Sequence, residues 1–168
     1  MSAHAVLTAA RAKGVMIATA ESCTGGLIAG ALTDIAGSSD VFDRGFVTYS
    51  NAAKTAMLGV PAALIEAHGA VSEEVAHSMA AGAAARSLAD FAVSVTGIAG
   101  PGGSEHKPEG RVCFGVATPM GVFTETRDFG ALGRSNVRAE TVAHALALLL
   151  QALSPDRTDD RQMPRKDA

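Results

Sequence analysis

Apolar residues recur along the chain at two spacings, one helical and one strand-like, and the two alternate. Ser2–Lys13 reads as a helix and stops at Gly14. Val15–Ala20 (VMIATA) is a short apolar run of strand type. Leu27, Ile28, Ala31, Leu32 and Ile35 then share one helical face, closed by Gly37. Gly45–Tyr49 predicts a second strand, Asn51–Leu58 a short helix, and Pro61 the start of another. Ser72–Leu88 opens with an N-cap serine and two carboxylates in its first turn, where both are favourable. Phe91, Val93 and Val95 alternate with smaller residues in a third strand. After a glycine-rich loop, Gly97–Gly110, the runs Val112–Thr118 and Val122–Phe129 predict a hairpin. Its turn, Thr118-Pro119-Met120-Gly121, has the Pro and Gly placement of type I. Ser135–Leu153 is the last helix. Early β-α alternation implies parallel strands, and the late hairpin adds an antiparallel one. The expected fold is α/β, a three-layer α/β/α sandwich with a mixed, mostly parallel sheet carrying an antiparallel strand.

Composition narrows the class. The chain has 168 residues, aromatics at 4% and no Trp. A core for one domain of this size must therefore be aliphatic and built from small side chains that let helices and strands approach closely. The net charge of −3 and the absence of a basic stripe argue against a nucleic-acid binder held by phosphate contacts. The longest apolar stretch, near Ala143–Leu153, is too short to span a bilayer, and the N-terminus lacks the pattern of a signal peptide. Cys23 and Cys113 form no CxxC pair, which suits a reduced cytoplasmic compartment. His4, His68, His77, His106 and His144 show no metal-ligand spacing, so no metal is expected. Residues 154–168 (SPDRTDDRQMPRKDA) are polar throughout and read as a flexible tail beyond a domain at 1–153.

Four segments carry candidate chemistry. Thr19-Ala20-Glu21-Ser22-Cys23-Thr24-Gly25-Gly26 joins the first strand to a helix, at the sheet edge where open α/β folds bind ligands. Ser22 or Cys23 there would lie near helix-start amides able to stabilise an oxyanion. The same Ser and Thr equally suit capping, and Cys23 equally suits a buried thiol. Tyr49-Ser50-Asn51-Ala52-Ala53-Lys54 places a lysine in the first turn of a helix, where the dipole weakens its hold on a proton. Lys54 is a candidate base, acting directly or through Tyr49, or else an exposed lysine. Ser94–Gly103 ends a strand in a loop whose glycines let backbone amides approach a ligand, or form an ordinary turn. Arg134 and Arg138, one helical turn apart, repel each other unless an anion is bound, or are simply two exposed arginines at small cost.

Taken together, ATAESCTGGLIAGALTDIAGSSDVFDRGFVTYSNAAKTAMLGV (Ala18–Val60), HGAVSEEVA (His68–Ala76) and VSVTGIAGPGGSEHKPEGRVCFGVAT (Val93–Thr118) closely resemble the C-terminal domain of the competence/damage-inducible protein CinA. The stand-alone form of that family is nicotinamide-nucleotide amidohydrolase. The resemblance implies hydrolysis of the carboxamide of nicotinamide mononucleotide (NMN) to nicotinate mononucleotide and ammonia, without a cofactor. It implies a serine hydrolase site of Ser22, Tyr49 and Lys54. The substrate pocket would be drawn from Glu21, Cys23, Thr24, Gly25, Gly26, Thr96, Gly97 and Arg134. A non-catalytic nucleotide-binding or interaction module on the same fold is the alternative. The expected partners are the small-molecule substrate and further copies of the chain, not nucleic acid or membrane.

Overall fold

A computed structural model describes residues 2–154. The proposed tail lies outside the described residues except for Ser154. Five strands, β1 (Ile17–Glu21), β2 (Phe42–Val47), β3 (Phe91–Gly97), β4 (Arg111–Thr118) and β5 (Gly121–Asp128), form one sheet in the order β2-β1-β3-β4-β5. β1 pairs parallel with β2 and β3, while β4 runs antiparallel to both of its neighbours. Six helices flank the sheet: α1 (Ser2–Lys13), α2 (Leu27–Thr33), α3 (Asn51–Leu58), α4 (Ala62–His68), α5 (Glu73–Ala85) and α6 (Arg134–Leu153). α1, α2 and α6 pack together on one side, and α3, α4 and α5 on the other. This is the expected α/β sandwich with its mixed sheet.

The period-two pattern of the strands divides two unlike cores. On the α1/α2/α6 side the sheet presents large residues: Ile17, Phe91, Val93, Val95, Val112, Phe114 and Val116. On the other side it presents Ala18, Ala20, Ala92 and Ala117, against the alanine-rich α5. Small residues facing small residues bring α5 close to its neighbours. A Cβ on Gly115 of β4 would lie 2.5 Å from the Ala76 carbonyl of α5, and one on Gly82 would lie 2.1 Å from the carbonyl of Leu58 in α3. These glycines serve contact distance. The high alanine and glycine content is thus a packing requirement of one face of the sheet.

Several boundaries differ from the sequence expectation. β2 begins at Phe42, three residues before the predicted strand, and ends at Val47. It is an edge strand, half-exposed along its length, so Asp43 and Arg44 interrupt its apolar pattern without interrupting its pairing with β1. Thr48 leaves the sheet, although its amide still donates to the Glu21 carbonyl at 2.8 Å. α5 ends at Ala85 instead of Leu88, and α6 begins at Arg134, one residue early. The hairpin turn has no positive φ at Pro119 or Met120, as type I requires, and Thr118 Oγ1 accepts from the Met120 amide.

The glycine contact predicts a mutational cost. Gly82→Ala forces a methyl group into the Leu58 backbone, where no flexible side-chain end can yield. It should destabilise the fold by about 1–3 kcal/mol, the usual range for overpacking. Urea denaturation measures this, and a midpoint equal to the wild type would contradict the packing argument.

Candidate active site

The site is assembled at the carboxyl ends of β1 and β3, on adjacent central strands. The chain leaves β1 at Glu21 and turns through Ser22–Gly26 into α2, with Gly25 and Gly26 at φ +59° and +108°. Those left-handed values explain the paired glycines of the motif. The turn is fixed from behind by Glu21, whose side chain is fully buried. Its carboxylate accepts from Thr24 Oγ1 at 2.6 Å, the Ile28 amide at 2.8 Å and the Ala29 amide at 3.1 Å. A carboxylate on the preceding strand therefore caps α2, and three donors together with the positive helix end offset its burial. From the other side Arg138 of α6 donates through Nε to the Cys23 carbonyl at 3.1 Å and through Nη2 to the Thr24 carbonyl at 3.2 Å. Ser22 itself is tied to β3, its amide donating to Val95 at 3.1 Å.

Lys54 completes the centre. Ser50 caps α3 by accepting from the Ala53 amide at 3.0 Å, and this sets the helix start so that Lys54 points inward. Its side chain is 1% exposed. Nζ lies 3.0 Å from Ser22 Oγ and donates to the Thr48 carbonyl at 3.0 Å. Burial pushes the lysine below its ordinary value, while the fields of Cys23 and Glu105 oppose that shift. Desolvation, and not the helix dipole that the sequence pattern suggests, is the dominant cause. Nζ donates to Ser22 Oγ as an ammonium; in its neutral form, with one N–H kept on the Thr48 carbonyl, the same amine can turn its lone pair to that hydroxyl and take its proton.

Tyr49 stands apart from this pair. It is 61% exposed, and its hydroxyl accepts from Arg134 Nη2 at 2.8 Å. No hydrogen bond joins it to Ser22 or Lys54 among the described residues. Arg134 also donates to the Gly100 carbonyl at 2.8 Å, linking the start of α6 to the glycine-rich loop. The two arginines expected to share an anion have thus separated. Arg134 reaches the cleft, whereas Arg138 is engaged with the turn behind it.

A cleft of about 390 Å³ opens over Ser22 and Lys54, at the small end of the range for small-molecule sites. Cys23, Tyr49, Thr96, Gly97 and Arg134 line it as the sequence analysis expected. Glu21, Thr24, Gly25 and Gly26 do not line it; they build the turn that holds Ser22. The Thr96 hydroxyl is already donated to the Ala70 carbonyl at 2.8 Å. Of the turn amides, those of Ile28 and Ala29 are occupied by Glu21. Those of Cys23, Thr24 and Gly26 have no acceptor among the described residues and remain the candidates for holding an oxyanion. The Cys23 thiol is pushed up to about 12 by burial, so it is protonated near neutral pH, opposite to an activated nucleophile. Asn51, Ala70, Val71 and Glu105 also line the cleft and had no assigned role in the sequence reading. Asn51 and Glu105 lie inside recognised motifs, but neither carries a periodic or spacing signal. Among the described residues no group of three or more His, Cys, Asp and Glu side chains is disposed to hold a metal ion, and no helix is long and apolar enough to cross a membrane.

Comparison with known proteins gives a consistent assignment. A family model described as the CinA C-terminal domain matches residues 1–153. The nicotinamide-nucleotide amidohydrolase PncC of Escherichia coli K12 is 52% identical over 144 residues, covering 85% of this chain and 87% of that protein. A protein of Symbiobacterium thermophilum named putative competence-damage inducible protein is 50% identical over 151 residues, and here the chain spans only 35% of the relative's length. Among solved structures, that of a competence/damage inducible protein from Agrobacterium tumefaciens superposes with a TM-score of 0.88 at 51% identity, covering 91% of this chain and 94% of that one.

Burial of Lys54 has a consequence for stability. Its folded value is lowered below 10.5, so between the two the unfolded chain binds more protons than the folded one. Stability from this group therefore rises with pH across that interval, and the burial penalty is largest below it. In Lys54→Met this contribution is absent. The stability of wild type relative to Lys54→Met should increase as pH is raised from neutral toward 10.5, measured by denaturant titration at each pH. A difference independent of pH would show that Lys54 titrates alike in both states.

Proposed function

The chain belongs to the CinA C-terminal domain family, and we propose that it hydrolyses the carboxamide of NMN to nicotinate mononucleotide and ammonia through Ser22 and Lys54. The observation that carries this reading is the 3.0 Å approach of a 1% exposed lysine amine to the Ser22 hydroxyl. The PncC relatives, matched over most of their length, support the choice of amide.

Lys54 in its neutral form accepts the Ser22 proton as Oγ attacks the carboxamide carbon. The resulting oxyanion takes hydrogen bonds from free amides of the Cys23–Gly26 turn. Such donors typically contribute about 10²–10³-fold each. The ammonium of Lys54 then returns its proton to the leaving nitrogen, the C–N bond breaks, and ammonia departs from a Ser22 ester. Water entering the cleft gives its proton to Lys54 and attacks the ester, and Ser22 regains its proton as the acid is released. Lys54 is thus base and acid in turn, which requires a pKa closer to neutrality than that of an exposed lysine. Direct contact between Lys54 and Ser22 favours the route without a phenol relay. Tyr49, hydrogen-bonded to Arg134, acts on the bound substrate at the mouth of the cleft. Arg134, whose Nε–H has no acceptor among the described residues, is the proposed partner of the nucleotide phosphate.

Two variants test the assignment. Ser22→Ala should abolish ammonia release from NMN while leaving a folded protein. Lys54→Arg keeps the positive charge but cannot lose a proton near neutral pH. It should lower kcat by at least about 10²-fold with little change in KM. Turnover within a few-fold of wild type in either variant would remove that residue from the mechanism. A wild-type protein that binds NMN without hydrolysing it would instead be a nucleotide-binding module.

A further inference from the structure

Three ionisable side chains other than the Cys23 thiol and the Tyr49 phenol line the cleft: Lys54, Arg134 and Glu105. The first two have roles in the proposed reaction. Glu105 has none, and it is the one carboxylate in the cleft wall. It sits on a two-residue turn between Ser104 and Lys107, whose backbones bond each other at 3.0 and 2.8 Å. Glu105 and His106 have φ of +51° and +64°, the geometry of a type I′ turn, which ordinarily selects Asn or Gly. Side chains that gain nothing from such a turn are disfavoured there. The turn is fastened by Lys107, whose Nζ donates to the His68 carbonyl at 3.0 Å and to the Val71 carbonyl at 2.5 Å. The nearest cation in sequence thus hydrogen-bonds to backbone oxygens and keeps its charge beside the turn: a Cβ on Gly69 would lie 2.7 Å from Glu105 Oε2 and 2.9 Å from Lys107 Nζ. The Glu105 carboxylate takes part in no hydrogen bond or ion pair among the described residues, and its field reaches Lys54 across the cleft.

An exposed anion in the wall of a cleft, near the Lys107 ammonium but not in ion-pair contact with it, leaves its outer side open to a cationic ligand. The nicotinamide ring of an N-ribosylated substrate is a pyridinium and carries a full positive charge next to the scissile carboxamide. We propose that Glu105 is a specificity-determining residue that faces this ring charge, so that the cleft prefers N-glycosylated pyridinium amides over neutral aromatic amides of the same shape. The substrate then presents its positive ring to Glu105 and its phosphate to Arg134, matching a dipolar molecule to a dipolar cleft. The proposal rests on the amidohydrolase reading for the choice of ligand. It adds the chemical feature by which the ligand is chosen.

The test compares NMN with the benzamide C-nucleotide that has the same ribose phosphate and carboxamide but an uncharged ring. The wild type should prefer NMN in kcat/KM. Glu105→Gln, equal in size, should lower kcat/KM for NMN by about tenfold, as expected for losing one close charge pair at a protein surface. It should leave the neutral analogue within about threefold. Glu105→Asp, which keeps the charge, should retain a preference between those two. An effect exerted only through Lys54 or through folding would fall on both compounds alike, and equal losses on both would overturn the proposal. If the wild type releases no ammonia from either compound, the amidohydrolase reading fails. The ratio of their dissociation constants by calorimetry then reports on Glu105. A wild-type protein that binds the two equally, or a ratio unchanged in Glu105→Gln, would overturn the proposal by that route.

Discussion

A lysine amine withdrawn from water and pressed against a serine hydroxyl is the constraint from which the rest of the site follows. Burying Lys54 carries a desolvation penalty for its charged form, and only two oxygens, Ser22 Oγ and the Thr48 carbonyl, meet its Nζ. Among the described residues no carboxylate pairs with it. A paired lysine would be held charged and useless as a base. The absence of a close acid among the described residues is thus what makes the arrangement chemically useful, and Glu105 is placed across the cleft instead of beside it.

Everything around that contact fixes its two ends. Ser22 is held by a turn clamped on one side by the Glu21 carboxylate and on the other by the Arg138 guanidinium, which share no atom but act on neighbouring peptide groups. Lys54 is held by the Ser50 cap and by the departure of Thr48 from the sheet. The Ser22 end rides on β1 at the centre of the sheet, and the Lys54 end on α3, which follows the edge strand β2. The small-residue core lets α3 and α5 approach closely enough for a lysine on α3 to reach a serine at the end of β1.

The fold was legible because its signals are local. Alternation in Phe91–Val95, the Ser72 cap and the Pro119–Gly121 turn each act within a few residues. β2 was misjudged at its start because an edge strand tolerates Asp43 and Arg44, whose polarity says nothing about backbone pairing. The motifs located Ser22, Tyr49, Lys54, Thr96, Gly97 and Arg134 around the cleft. The division of labour inside a motif was not legible. Glu21, Thr24, Gly25 and Gly26 stand next to Ser22 in sequence yet do not line the cleft, because the Glu21 carboxylate is turned to Thr24 and the start of α2 and the two glycines supply only the left-handed turn. Arg138 was read as a partner for an anion and instead binds carbonyls more than a hundred residues away. Glu105 gave no sequence signal, since its position depends on a turn fastened to a distant loop through Lys107.

The account depends most directly on the ionisation of Lys54. Lysines labelled with 13C at Cε report their own titration by NMR, and Lys54→Met identifies the resonance by its loss. The account predicts that the Lys54 signal titrates below the ordinary 10.5 of an exposed lysine, with the kcat/KM profile for NMN following the same transition. A Lys54 that titrates at or above that ordinary value would contradict the claim that burial against Ser22 makes it a base.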